Sequence, residues 1–116
     1  EHAPYGMRAE EALRRVGLWE QISSKLVYGE NVSQTAQFAL SGSTQGGIIA
    51  YSLALAPQIK AQGDFALIPE ELHQPLAQRM VLMKNAPAAA KAFYEHLSTP
   101  AAQAVMVRYG FAMPKP

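Results

Sequence analysis

The sequence predicts an α/β domain on three observations. Short apolar strand candidates alternate with amphipathic helices through the first two thirds of the chain. Gly47-Ile48-Ile49-Ala50 is a continuous apolar run, as expected of a strand covered on both faces in a parallel sheet. From Pro87 onward the pattern turns wholly helical and closes the chain.

Taken in order, Met7, Ala9, Ala12, Leu13 and Val16 recur at helical spacing, and Gly17 stops the helix. Its other face carries Arg8, Glu10, Glu11, Arg14 and Arg15, with Glu10 to Arg14 and Glu11 to Arg15 at favourable i, i+4 spacing, most simply a solvated face. Residues 18–22 add a short helical turn, and Lys25-Leu26-Val27-Tyr28 reads as a strand ended by Gly29. Asn31 is a good N-cap for a helix with Val32, Ala36, Ala39 and Leu40 on one face, running out at Ser41-Gly42. Residues 51–59 are helical or irregular around Pro57, 65–68 is a short strand, and 76–83 is a longer strand candidate. Pro87 is expected at the first position of a helix whose stripe is Ala89, Ala92, Phe93, His96 and Leu97, and a final helix spans 101–108 before Gly110.

Composition excludes several function classes. Ten Lys plus Arg balance nine Asp plus Glu, with no basic run, so no nucleic-acid partner is expected. Without cysteine there is no disulfide, thiolate metal site or cysteine nucleophile. The longest strongly apolar stretches, 46–56 and 101–107, fall short of the roughly 20 residues that a membrane-spanning helix needs. The first residue is Glu1 rather than Met, so the chain is expected to be processed or a piece of a longer one.

Catalysis is not expected. His2 and His73 fall in loops and His96 on a helix stripe, with no carboxylate or histidine at metal-ligand spacing. Glu10-Glu11 and Glu70-Glu71 are adjacent pairs that point to different faces of a helix, and Gly42-Ser43-Thr44-Gln45-Gly46 lacks the Lys-Ser/Thr of a phosphate loop. No nucleophile elbow or dinucleotide fingerprint is present.

Two places offer a quieter chemistry. Pro4-Tyr5-Gly6 and Asn31-Val32-Ser33 stand at expected helix starts, where backbone N–H groups lack intrahelical acceptors and the macrodipole presents about half a positive charge. Such a start holds an anion without any Lys or Arg, although every helix start shares the property.

The ordered string of motifs is more specific. Ala3-Pro4-Tyr5-Gly6, then Glu11-Ala12-Leu13, Gly17-Leu18-Trp19 and Lys25-Leu26-Val27, then Gly29-Glu30-Asn31-Val32-Ser33-Gln34 and Ala36-Gln37-Phe38 resemble the periplasmic molybdate-binding proteins of ABC uptake systems. Gly47-Ile48-Ile49-Ala50 with Ser52 resembles the buried strand of that family, and Ala92-Phe93-Tyr94 through Arg108-Tyr109-Gly110-Phe111 its closing helices. The resemblance implies a type II periplasmic-binding fold of two doubly wound α/β lobes, with a bare tetrahedral oxyanion held in the cleft between them.

By the same resemblance, Tyr5 matches a position whose backbone N–H, and with tyrosine the hydroxyl, reaches the oxyanion, and Val32 matches a second N–H donor. Gly6, Asn31, Ser33 and Tyr51 would support them; some members carry a Tyr where this chain has Ala50, with Tyr51 next. Residues 1–75 would form most of the second lobe, and 76–116 the crossover strand and C-terminal helices returning to the first, the N-terminal half of the family fold being absent. The implied ligand is molybdate or tungstate, with no cofactor and no bare metal cation; the implied partner is a membrane ABC permease. A sheet lacking a central strand also suggests a swapped or intertwined homodimer. The alternatives are a receptor for another oxyanion such as sulfate, or the ligand-sensing effector domain of a transcription regulator. A helix-turn-helix upstream would mark the regulator, a signal peptide the transport protein.

Overall fold

The structure is a computed structural model and describes residues 3–114. It divides into two units, Glu1–Leu76 and Ala77–Pro116. His2 lies outside the described residues.

In the first unit, α1 spans Pro4–Arg15, with Pro4 in the first turn where its missing N–H costs nothing. Gly17 ends it in the left-handed region (φ 73°): its N–H goes to Arg14 O, and the Leu18 N–H reaches back to Leu13 O. This paired return satisfies two terminal carbonyls. One turn, α2 (Trp19–Ile22), follows and packs on α1, continuing into a 3₁₀ turn at Ser23–Lys25. Helix α3 (Val32–Leu40) begins at the expected cap, and α4 (Tyr51–Ala54) and α5 (Pro57–Lys60) are single turns separated at Pro57. A second 3₁₀ turn, Glu70–Leu72, packs against α1.

Among the described residues the buried ones, Ala12, Ala36, Ala50 and Ala54, are all alanines of this unit. Of the expected stripe on α1, Ala12 is buried and Ala9 and Leu13 half-buried, whereas Met7 and Val16 are exposed. The charged face of α1 is not simply solvated: the Arg8 and Glu11 side chains are only 22% and 23% exposed and paired at 3.3 Å. Small residues permit close approach elsewhere. A Cβ on Gly47 would stand 2.7 Å from that of Ala39, so the 47–50 run lies directly against α3.

In the second unit, α6 spans Ala88–Leu97 and packs on α7, Pro100–Arg108. Pro87 is the cap residue rather than the first helical one, and Pro100 opens α7 behind the Thr99 cap. The face of α6 also departs from expectation. Ala90, Tyr94 and Leu97 are its half-buried residues, while Ala89, Ala92, Phe93 and His96 are exposed. The covered side is offset by one residue from the expected stripe, and Ala90, Tyr94 and Leu97 line a groove with residues 80–83 that Phe93 also borders. Gly110 (φ 83°) ends α7 with the same paired return seen after α1.

No β-strand is formed among the described residues, so the segments expected at 25–28, 47–50, 65–68 and 76–83 do not build a sheet here. Apolar periodicity gives a segment its faces, but a strand also requires a neighbour to complete its ladder. Residues 80–83 retain the alternation: Met80 and Leu82 are 45% and 36% exposed, Val81 and Met83 78% and 72%. Ile48, expected to be covered, is 40% exposed.

Candidate oxyanion-binding helix starts

The best-organised candidate position is the start of α3. Asn31 is extended (φ −153°, ψ 171°), and its side-chain oxygen accepts the Gln34 N–H at 2.9 Å. The Gln34 side chain turns back and accepts the Glu30 N–H at 2.7 Å, while the Thr35 N–H and hydroxyl both donate to Asn31 O at 3.1 Å. These bonds leave the Val32 and Ser33 N–H groups without an acceptor among the described residues. Val32 is half-buried and Ser33 exposed, so a small anion can reach both donors.

Gly29 makes this geometry accessible. A Cβ there would run into the Thr35 hydroxyl and come within 2.7 Å of its backbone nitrogen. Sequence reasoning found Asn31, Val32 and Ser33 but missed Gln34 and Gly29. The signal for Gln34 was present, since an Asn followed three residues later by Gln is a capping-box spacing.

The start of α1 is built differently. Its cap residue is Ala3, which offers no side-chain acceptor, and Pro4 has no N–H to donate. Tyr5, half-buried, and Gly6, exposed, are therefore its first N–H-bearing residues. Tyr51 opens the four-residue α4, and its ring packs on Phe65 with centroids 5.7 Å apart. The expected residues thus occupy the first turns of three helices, with Asn31, Val32 and Ser33 consecutive on one of them.

Other concavities are chemically unsuited to a dianion. The groove along α1 contains Arg8 and Arg14, but both guanidiniums are engaged by Glu10, Glu11 and Glu20. A groove of about 270 Å³ beside α6 is lined by Met80, Leu82, Phe93 and Leu97 among others, with no charged group. His73 makes a 2.9 Å contact from Nδ1 to the carbonyl of Gln74. Among the described residues no three His, Asp or Glu gather as metal ligands, and no helix is long and apolar enough to cross a membrane.

Neutral N–H donors at a helix start can hold an anion without any Lys or Arg. The chain belongs to the bacterial extracellular solute-binding proteins, whose family profile matches residues 1–112, and this membership implies the type II periplasmic-binding fold. It is 37% identical over 111 residues to the molybdate-binding protein ModA of Rhodobacter capsulatus, covering 94% of this chain and 43% of that protein. The molybdate-binding protein ModA of Azotobacter vinelandii is 33% identical over 114 residues, covering 96% and 45%, and that of Escherichia coli K12 32% identical over 114 residues, covering 97% and 44%. The chain therefore spans less than half the length of these curated relatives.

Proposed function

We propose that this chain is the oxyanion-contacting part of an extracytoplasmic solute-binding protein that binds molybdate, and tungstate as its structural analogue, and delivers it to a membrane ABC permease. The observation that carries this reading is the free pair of N–H donors at Val32 and Ser33, in a chain 37% identical to a molybdate-binding protein. Tyr5, through its N–H and hydroxyl, and Gly6 supply the second helix start, and Tyr51 borders the site. The role is binding rather than catalysis, with no cofactor beyond the ligand.

In this reading residues 1–75 belong to the second α/β lobe and 76–116 return to the first, where the extended apolar segments become strands. Until they do, their exposed apolar faces favour a swapped homodimer of the isolated chain, which light scattering would detect.

Each charge-assisted hydrogen bond contributes about 1.5–3 kcal/mol, and association costs about 4–15 kcal/mol, so the few donors of this chain alone hold a dianion only weakly. Titration of the ¹⁵N-labelled chain with sodium molybdate should shift the Gly6, Val32 and Ser33 amides selectively. Equal response to sulfate would assign the site to oxyanions in general, and no response at these amides would refute the reading.

A further inference from the structure

Arg8 lies one turn into α1, three residues after Tyr5 and four after Pro4, and neighbours at those spacings share a helix face. Its guanidinium is drawn the other way, to Glu11 one turn further on, with Nη1 3.3 Å from Glu11 Oε2. Glu11 does not depend on that contact. Its Oε2 also accepts the Gln74 N–H at 3.0 Å, and its Oε1 faces Arg15 Nη2 at 3.4 Å, so the carboxylate keeps a backbone donor and a cation if Arg8 leaves. Arg14, by contrast, is shared between Glu10 at 2.8 Å and Glu20 at 3.5 Å and lies over the Trp19 ring.

An arginine released at this position has one favoured direction. Helical side chains lean towards the N-terminus and cover the turn before their own Cα, which for Arg8 is the turn of Pro4 and Tyr5. The macrodipole is positive at that end and disfavours a cation there, so without an anion the pairing with Glu11 is the better arrangement. A dianion at the helix start reverses the balance, because it offers the guanidinium two negative charges and acceptors for a charge-assisted hydrogen bond.

We propose that Arg8 is a ligand-responsive specificity residue, paired with Glu11 in the absence of ligand and turned back onto a dianion bound at the start of α1. The proposal rests on the oxyanion reading above and deepens it. Neutral N–H groups accept small tetrahedral anions of either charge, whereas the attraction of Arg8 grows with ligand charge and favours dianions over monoanions of the same shape.

The test is a titration of the ¹⁵N-labelled 116-residue chain, at constant low ionic strength, with molybdate and with perrhenate, a tetrahedral monoanion. It is read at the Gly6, Val32 and Ser33 amides and at the Arg8 Nε–H. In wild type molybdate should bind more tightly than perrhenate and shift the Arg8 Nε–H signal, which sodium chloride at the same ionic strength should leave in place. Arg8→Gln should weaken molybdate binding about three- to tenfold and perrhenate binding by less. Arg8→Lys keeps the charge and should retain most of the preference for molybdate. Glu11→Gln, which still accepts the Gln74 N–H, should release Arg8 and tighten molybdate binding about twofold or more. Equal molybdate affinity in wild type and Arg8→Gln, or an equal loss for both anions, overturns the proposal, while amide shifts at Val32 and Ser33 in the same titrations keep the oxyanion reading standing. Should Arg8→Gln lose its helical circular dichroism, the wild-type Nε–H decides instead, and its failure to respond to molybdate overturns the proposal. Amides that respond to neither anion overturn both.

Discussion

Asn31 and Gln34 fasten the first turn of α3 from both directions: the Asn31 side chain accepts the Gln34 N–H at 2.9 Å, and the Gln34 side chain accepts the Glu30 N–H at 2.7 Å. Two donors are consumed to hold the turn, and the Val32 and Ser33 N–H groups between them stay available. Asn31→Ala should lower stability by about 1 kcal/mol through loss of the cap. Gln34→Ala should cost less, about 0.5 kcal/mol, because its bond to the Glu30 N–H is exposed and water can replace it. Urea unfolding followed by circular dichroism measures both, and a Gln34→Ala loss larger than that of Asn31→Ala would contradict this division of roles.

Helix limits were legible because they are written locally. Asn31 caps α3, Gly17 and Gly110 supply the left-handed residues that end α1 and α7, and Pro4 and Pro100 open helices. Strands were not legible in the same sense. Val27, Tyr28 and Val81 have the right residue types, but pairing depends on a neighbour that local sequence cannot specify. At the candidate site, residue types identified Asn31, Val32 and Ser33, while the return of Gln34 to Glu30 and the closeness of Gly29 to Thr35 depend on backbone geometry. The role of Glu11 was misread because i, i+4 spacing explains its pairing with Arg15 but says nothing of Gln74, far away in sequence.

Gly29 should tolerate no side chain. Its close approach to Thr35 means that Gly29→Ala must displace the backbone nitrogen or hydroxyl of Thr35, both bonded to Asn31 O. The expected cost is about 1–3 kcal/mol, as for other overpacking substitutions. Gly6→Ala is the control, because a Cβ there meets nothing within 4 Å. Chemical denaturation should separate the two variants clearly, and equal stability would show that the turn at 29–35 relaxes freely.

Arg14 offers an optical readout. Its guanidinium lies 4.7 Å from the ring centroid of Trp19, the single tryptophan of the chain, and its Nε donates to Glu10 at 2.8 Å. Arg14→Ala should change the emission of Trp19 while lowering stability by about 1 kcal/mol or less, since exposed cation–π contacts and ion pairs are weak. Fluorescence spectra and urea midpoints of the two proteins test this together. An unchanged spectrum would mean that the guanidinium does not dwell over the ring in solution.

Val32→Pro separates donor chemistry from helix stability. Val32 occupies the first position of α3, where proline is favoured and its missing N–H breaks no intrahelical bond. Asn31 already has the extended conformation that a following proline requires. The substitution should therefore leave stability within about 0.5 kcal/mol while deleting one of the two donors. Loss of a charge-assisted hydrogen bond should weaken molybdate binding about tenfold or more, read from the Ser33 and Gly6 amide shifts. Val32→Ala keeps the N–H and should bind as wild type. If proline and alanine bind equally well and both remain folded, the Val32 N–H is not a ligand donor.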